Sequence, residues 1–268
     1  SKMTKSELLC LMSGGMATIA GGVLAAYIGY LGGEDAAGKL FFAKHLITAS
    51  VLSAPAAIMS AKILIPETEK FDKIAEISKQ SMGSNALDAI SNGTTQGVKL
   101  AVNVGAMLLV FVALVYGVNY IIIHTLGDWT GLNTWTSNVT DGQFDSFSLE
   151  FILGAVFSPL AWILGVPASD IMLVGQLLGE KTVLNEFYSY VSLTEMKEGG
   201  LFSSERSVIL STYMLCGFAN ISSIGIQIGG IGVLAPSRRK ELSELGIKAL
   251  IAGTAASLFT AAYVGMII

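Results

Sequence analysis

The sequence predicts an all-α integral membrane protein, and two observations carry that prediction. Of the 268 residues, 52% are hydrophobic and only 13% are charged, with a mean hydropathy of +0.64. By contrast, about a quarter of the residues of a typical soluble domain are charged. Residues 8–33 and 207–237 contain no charged residue at all. Uncharged segments of this length are typical of helices that cross a lipid bilayer.

The spanning segments follow from length and hydropathy, because a helix needs about 20 predominantly apolar residues to cross the bilayer. Segments of this kind are predicted at about residues 8–31, 45–65, 98–123, 207–235 and 247–268. Glycine pairs interrupt the first segment, and Asn220 interrupts the fourth. These two segments are therefore predicted to be broken helices.

The segments between the spans have distinct predicted roles. Residues 67–92 carry lysines and carboxylates and are predicted to form a cytoplasmic linker with a short surface helix. Residues 149–165 are apolar but short, which favours an interfacial helix. Residues 168–196 are too polar for a plain span and too apolar for a loop. A re-entrant hairpin of two half-length helices, turning near residues 184–186, accounts for both properties, since irregular backbone at membrane depth is tolerated where protein covers it.

The basic residues indicate the orientation of the chain. Lys2, Lys5, the lysines of the linker and residues 238–240 fall in loops that alternate so as to share one side. The positive-inside rule assigns that side to the cytoplasm. We therefore expect a multi-pass protein of the plasma (inner) membrane.

Several classes of function are disfavoured by what the sequence contains. The net charge of -4 is spread along the chain without a basic block, so nucleic acid is not an expected partner. Cys10 and Cys216 both lie in apolar segments and are interpreted as buried small hydrophobic residues. The sequence has neither a His-Glu-x-x-His zinc motif nor a Gly-x-Ser-x-Gly nucleophile elbow. We therefore expect no enzyme activity and no organic cofactor.

The two broken segments share a short pattern. Residues 15–19 and 217–221 both read Gly-x-Ala-x-Ile. A helix broken at mid-membrane presents carbonyl groups at one end and amide groups at the other, and this arrangement is typical of secondary transporters with inverted repeats. The paired pattern is interpreted as the trace of such a repeat.

Polar residues at the predicted mid-membrane level are the candidate functional residues. Asn220 and Glu186 are functional candidates because amide and carboxyl groups at that depth are costly. For Ser223, packing and function are equally open, whereas the glycine pairs at 21–22 and 229–230 are interpreted as helix-packing residues. Lys181 is expected to extend its amine toward the membrane surface.

Three separated motifs give the chain a family resemblance. GEKTVLNEF (residues 179–187) fits a G-x-K-x-x-x-N-E-F signature, and CGFANISSI (residues 216–224) and GGMATIAGG (residues 14–22) accompany it. With these motifs in this order, the chain resembles the concentrative nucleoside transporters over essentially its whole length. One departure is Tyr188-Ser189, where the family usually continues with Val-Ala.

The resemblance implies two inverted repeats, each with a re-entrant hairpin and a broken helix, in a homotrimer driven by a sodium gradient. The family's first three spans and first hairpin, whose Gly-Gln-x-Glu-Ala-Pro motif contacts the base, would precede Lys2. The chain thus resembles the C-terminal portion of the family, and by itself it is not expected to transport.

Matched residue by residue, the resemblance also implies a binding site. It places Glu186, Asn220 and Ser223 on ribose-binding positions and Phe218, Leu100 and Val23 on positions that line the base. The coupling sodium would be held by Thr18 and Ile19. Three alternatives stay open: a proton as the coupling ion, another small polar solute on the same scaffold, and an intramembrane enzyme that uses Glu186 as a general base.

Overall fold

The computed structural model describes residues 3–69 and 85–268. These residues form helices and connecting segments, with no strand among them, which confirms the predicted all-α architecture. The helices are, in chain order, α1 (Lys5–Ala17), α2 (Gly21–Gly32), α3 (Ala36–Leu64), α4 (Ala86–Ile122), α5 (Asp128–Thr130), α6 (Leu132–Val139), α7 (Leu149–Ile163), α8 (Ile171–Val183), α9 (Glu186–Glu198), α10 (Glu205–Met214), α11 (Ile221–Leu234) and α12 (Arg239–Gly265).

The first uncharged segment forms two helices, α1 and α2. Helix α1 begins at a capping box, in which the Thr4 hydroxyl accepts from the Glu7 amide and the Glu7 carboxylate accepts from the Thr4 amide. It ends at Ala17 because Thr18 is extended, with φ −100° and ψ 156°. Ala20 is also extended, and α2 starts at the next residue. The interruption between the glycine pairs is therefore a true break in the helix.

The fourth predicted segment is likewise divided, into α10 and α11. Gly217 has a φ of 84°, in the left-handed region that favours glycine. Asn220 then caps α11, because its side-chain oxygen accepts from the Ser223 amide at 2.9 Å. The break spans residues 215–220, so it begins several residues before the interruption expected at Asn220.

Helices α8 and α9 are in contact and are joined by residues 184–185. Asn185 caps α9 by accepting from the Tyr188 amide at 2.9 Å. Helix α8 packs along α7, and a Cβ added to Gly175 would lie 2.4 Å from the Gly154 carbonyl oxygen. Only glycine lets these two backbones approach so closely.

Long helices support the breaks. Helices α1, α3 and α12 pack on one another through small side chains, and Ala17, Ala57 and Ala256 share one buried cluster. Within the described ranges, the stretches long and apolar enough to cross a membrane are Lys5–Gly32, Ala36–Leu64 and Pro236–Gly265. The bundle thus holds the two breaks against a set of closely packed helices.

The predicted linker requires a correction at its C-terminal end. Helix α4 starts at Ala86, capped by Asn85, so the last residues of the segment 67–92 are helical and continuous with the span expected at 98–123. The first residue of an apolar run does not mark the first residue of a helix, because a polar turn with a capping residue can extend the helix toward its N-terminus. Residues 70–84 of this predicted linker lie outside the described residues.

The helix-packing role of the glycine pairs at 21–22 and 229–230 stays a prediction. In the described part of the chain, a Cβ added to Gly21, Gly22, Gly229 or Gly230 would meet no atom within 4 Å. The close helix contacts lie instead at single glycines such as Gly175 and Gly217, because these are the ones that face another backbone.

Candidate functional site

The two broken helices and the hairpin turn meet at one place. Residues from all three line a common crevice, and these are Ile19, Ala20, Val23, Tyr27, Glu186, Gly217 and Phe218. The crevice has a volume of ≈ 10 Å³, so it is a narrow slot. A larger cleft of ≈ 570 Å³, lined by Phe41, Lys197 and Glu205 among others, contains no predicted site residue. We place the candidate site at the slot because Glu186 lines it and accepts a hydrogen bond from Asn220 of the second break.

Glu186 projects into this meeting point from the first turn of α9. Its Oε2 accepts from the Asn220 Nδ2 at 3.0 Å. Its Oε1 lies 3.5 Å from the Tyr27 hydroxyl, at the long limit of a hydrogen bond. A carboxylate is favoured at a helix N-terminus, where the amide groups point toward it. Oε1 is thus the better placed of the two oxygens to accept a further hydrogen bond.

Asn220 is held in one orientation by its neighbours. Its Oδ1 accepts from the Ser223 amide and the Ser223 hydroxyl, both at 2.9 Å, and from the Ser222 hydroxyl at 2.7 Å. Its Nδ2 faces Glu186, and the residue is 2% exposed. Because an amide nitrogen has two N–H groups, one of them is available beyond the bond to Glu186.

Ser223 contacts the oxygen of the Asn220 amide, whereas Glu186 contacts its nitrogen. Its hydroxyl proton is donated to Asn220 Oδ1, and the residue is buried. The hydroxyl oxygen still carries lone pairs, but the contact that the structure records is to Asn220. Ser222 makes a similar contact and was not predicted from the sequence. Both serines therefore fix the amide that faces Glu186.

The apolar side of the slot is formed by Val23 and Phe218, which are both half-buried. Tyr27 was missed by the sequence analysis, although it lies one helical turn after Val23 on α2, and that spacing could have identified it. Its ring stacks on Tyr190 with centroids 4.0 Å apart. The backbone of Leu100 belongs to α4, but its side chain lies outside the described residues.

The first break has oxygen atoms suited to a hard cation. The Thr18 hydroxyl donates to the Gly14 carbonyl at 3.1 Å, so its proton points back into α1 and its lone pairs are free to face a cation. Thr18 and Ile19 follow the C-terminal end of α1, where the helix dipole is negative. No group of three or more His, Cys, Asp or Glu side chains placed to hold a metal occurs in the ranges 3–69 and 85–268. This donor set fits sodium, which takes hydroxyl and carbonyl oxygens, better than a transition metal.

The two breaks are in direct backbone contact. A Cβ added to Gly217 would lie 2.5 Å from the carbonyl carbon and oxygen of Ala17 and 2.6 Å from the Met16 oxygen. The end of α1 and the start of the second break are therefore packed directly against each other, and Thr18 and Phe218 each follow one of the residues in contact.

Lys181 differs from its expected role. It is 1% exposed, and its Nζ donates to the Met214 and Cys216 carbonyls and to the Ser257 hydroxyl instead of reaching the membrane surface. The last carbonyls of a helix have no partner within that helix. At the end of α10 they therefore accept from the Lys181 amine inside the protein, and the amine does not need polar partners at the membrane surface. Apolar neighbours in sequence gave no indication of this partner set.

The chain is similar to known transporters over most of its length. The family model described as "Na+ dependent nucleoside transporter C-terminus" matches residues 45–265. The chain is 39% identical over 270 residues to an "Uncharacterized transporter" of Haemophilus influenzae, with 99% of this chain and 60% of that protein covered. It is 38% identical over 281 residues to human "Solute carrier family 28 member 3", with 99% of this chain and 37% of that protein covered.

A solved structure shows the same fold. The structure of CNTnw in an inward-facing substrate-bound state matches this chain with a TM-score of 0.82 and 38% identity. The match covers 99% of this chain and 58% of the CNTnw chain. The chain thus spans less than two thirds of the length of these proteins.

Proposed function

Because the chain belongs to the family of sodium-dependent nucleoside transporters, we propose that the full-length protein carries out secondary active transport of nucleosides coupled to a sodium gradient. The observation that carries this proposal is the pairing of Glu186 with Asn220, at 3.0 Å, where the hairpin turn meets a broken helix. In this mechanism, a transport domain that holds both residues moves the bound nucleoside across the membrane. The family consists of transporters, so the enzyme alternative for Glu186 is set aside.

The paired carboxylate and amide complement a ribose diol. Glu186 only accepts hydrogen bonds, and Asn220 presents a donor because its oxygen already has three partners. A ribose hydroxyl can donate to Glu186 while it accepts from Asn220 Nδ2. Ser223 supports this contact by fixing the orientation of the amide.

The base would lie on the apolar side of the slot. Phe218 and Val23 provide aromatic and aliphatic surface next to Glu186, and Leu100 of α4 is proposed to complete it. Binding sites for small molecules commonly combine such surface with a few polar groups that fix the orientation.

Sodium is proposed to bind at Thr18 and Ile19, with the Thr18 hydroxyl oxygen and the Ile19 carbonyl among its ligands. The contact between Gly217 and Ala17 supports a sodium site close to the proposed substrate site. A cation that orders the first break would therefore also order the backbone of the second break next to Phe218. By linkage, nucleoside binding would strengthen sodium binding by the same factor.

The assembly and the location of the full-length protein are part of the proposal. We propose a homotrimer in the plasma (inner) membrane, with lipid around its exposed apolar surface. Side chains such as Leu109 and Tyr116 on α4, each 73% exposed in the single chain, fit a surface covered by lipid or by another subunit. Crosslinking of the full-length protein in native membranes should give a trimer.

The transport proposal is tested by uptake into vesicles. Full-length protein in proteoliposomes should accumulate labelled uridine when sodium is outside, and much less when choline replaces sodium. Unlabelled nucleosides should compete, whereas free nucleobases and ribose should compete weakly. Accumulation driven equally well by a proton gradient would identify the proton as the coupling ion. Competition by an unrelated polar solute but not by nucleosides would overturn the substrate assignment.

Replacing Thr18 by alanine should raise the half-saturating sodium concentration by roughly threefold to tenfold, with a smaller fall in maximal rate. The variant loses one neutral oxygen ligand, which contributes about 0.5–1.5 kcal/mol, and about 1.4 kcal/mol corresponds to a factor of ten. The Ile19 carbonyl is untouched. Uptake against sodium concentration measures the change.

Thr94→Ala is the matched control for this variant, because the Thr94 hydroxyl makes the same kind of bond to a carbonyl four residues earlier but lies exposed on α4. Its sodium dependence should equal that of the wild type. Unchanged sodium dependence in Thr18→Ala would assign Thr18 to packing.

A further inference from the structure

Helix α8 carries a second carboxyl group, which the proposed transport site does not use. Glu180 is 1% exposed. Its Oε1 accepts a hydrogen bond from Gln176 Nε2 at 2.7 Å. Its Oε2 is also buried, and in the part of the chain that the structure describes it makes no hydrogen bond. One oxygen of a buried carboxyl group therefore lacks a partner, although buried polar atoms in proteins nearly always have one.

The surroundings of Glu180 disfavour a negative charge. In residues 3–69 and 85–268, the recorded ion pairs do not include Glu180. Lys181 is its neighbour in sequence, but the Lys181 Nζ donates to carbonyls at the end of α10 and in the break, and to a hydroxyl of α12. The charged side chains that act on Glu180 are Glu150 of α7 and Glu195 of α9, which are both carboxylates. These neighbours oppose a further negative charge.

A bound proton removes this conflict. An ionised carboxylate without a cation is costly inside a protein, and a buried carboxyl group becomes neutral by taking up a proton. A proton on Oε2 turns that oxygen into a donor, while Oε1 continues to accept from Gln176. The Ser192 hydroxyl of α9 is close enough to act on Glu180, and its oxygen can accept from such a donor. Glu180 therefore fits its site as a carboxylic acid.

The carboxyl group lies where α8 and α9 meet. Besides Ser192, the Tyr188 hydroxyl of α9 interacts electrostatically with Glu180, at a position where the family usually has Val. The Tyr188 amide donates to Asn185 Oδ1 at 2.9 Å, which ties this part of α9 to the turn. Glu186 directly follows Asn185. A negative charge between α8 and α9 would thus disturb the turn that holds Glu186 in the candidate site.

We propose that Glu180 is a proton-binding site, and that the hairpin of α8 and α9 binds nucleoside when this site is protonated. The proton comes from the aqueous solution and adds to the carboxylate to give the carboxylic acid. Glu180 is a positioning residue, because it acts through the turn that carries Glu186. The inference rests on the proposed nucleoside site. It adds a dependence on pH to a transport cycle in which sodium remains the proposed coupling ion.

The variant Glu180→Gln tests the role of the proton. A carboxamide is neutral, accepts through its oxygen and donates through its nitrogen, as a carboxylic acid does through its two oxygens. The dissociation constant of labelled uridine is measured for the full-length wild type and variant in saturating sodium. The measurements run from about pH 6 to about pH 10, a range that covers the titration of buried carboxyl groups. Glu198→Gln is the matched control, since Glu198 is an exposed carboxylate on α9.

Wild-type affinity should be constant at the acid end of this range. It should fall by roughly tenfold per pH unit once Glu180 loses its proton, because binding is linked to one proton. Glu180→Gln should retain the acid-end affinity without this fall, and Glu198→Gln should follow the wild type. Infrared spectra at neutral pH give a second measure that does not require nucleoside. The carbonyl band of protonated carboxyl groups should be weaker in Glu180→Gln than in the wild type.

Three results would overturn the proposal. The first is a wild type whose affinity has the same pH dependence as that of Glu180→Gln. The second is a Glu180→Gln protein that does not fold or does not bind at the acid end, because a site for a carboxylic acid should accept its neutral isostere. The third is an unchanged infrared band. A wild type that bound no nucleoside at any pH would overturn the proposed function instead, and the infrared band would still show whether Glu180 holds a proton.

Discussion

Glu186→Gln should weaken nucleoside binding by roughly tenfold or more in the full-length protein. A hydrogen bond to a charged group contributes about 1.5–3 kcal/mol and a neutral one about 0.5–1.5 kcal/mol, and about 1.4 kcal/mol is a factor of ten. The substitution keeps the size of the side chain but replaces one acceptor oxygen by a donor group. Asn220 Nδ2 and the proposed ribose hydroxyl then compete for the single remaining oxygen.

Binding of labelled nucleoside to the purified protein in saturating sodium measures this effect. Glu195→Gln is the matched control, since Glu195 lies on the same helix and is exposed; it should bind as the wild type does. Ser223→Ala should cost less than Glu186→Gln, because it removes one neutral bond to Asn220.

A ligand that lacks one ribose hydroxyl separates a direct contact from an indirect one. Such a nucleoside should bind the wild type weakly, yet lose little further affinity in Glu186→Gln, because the contact is already missing. Strictly additive losses would contradict the ribose assignment. So would a free nucleobase that binds the wild type as tightly as a nucleoside does.

Gly217→Ala should destabilise the protein by roughly 2–5 kcal/mol and abolish nucleoside binding under conditions in which the wild type binds. The φ of 84° costs about 1–2 kcal/mol for a residue with a Cβ, and forcing an extra carbon into a packed site costs about 1–3 kcal/mol. The new Cβ would lie 2.5 Å from backbone atoms of Ala17, which cannot turn aside as a flexible side chain could. The two breaks must therefore separate.

Thermal unfolding and sodium-dependent nucleoside binding of the full-length protein test this expectation. Gly225→Ala is the control, because it lies within α11 and a Cβ there meets no atom within 4 Å in the described chain. A Gly217→Ala protein with wild-type stability and sodium affinity would show that contact between the breaks is dispensable.

The sequence predicted those site residues whose type is unusual for the segment that contains them. Glu186 and Asn220 stand out because a carboxyl or an amide inside an apolar segment is costly without a purpose, and the structure brings them within 3.0 Å. Tyr27 and Ser222 were missed. An aromatic residue on an apolar helix and a second serine beside Ser223 look like ordinary packing until their partners are known.

By itself, the sequence determined the membrane class, the presence of the broken helices and the hairpin, and the family. These properties are local: hydropathy, the glycine between apolar residues and the capping side chain act within a few positions along the chain. The family motifs are equally local, since each is a short run such as residues 179–187.

Only the tertiary structure decided which of these features act together. It placed the Lys181 amine at the carbonyls of Met214 and Cys216 and the Ser223 hydroxyl at the Asn220 oxygen. It also showed that the two breaks touch at Gly217. The physical reason is that a hydrogen bond or a close backbone contact depends on a partner far away in the chain. Periodicity and propensity describe a residue's neighbours along its own helix, and packing alone sets which distant oxygen or backbone faces it.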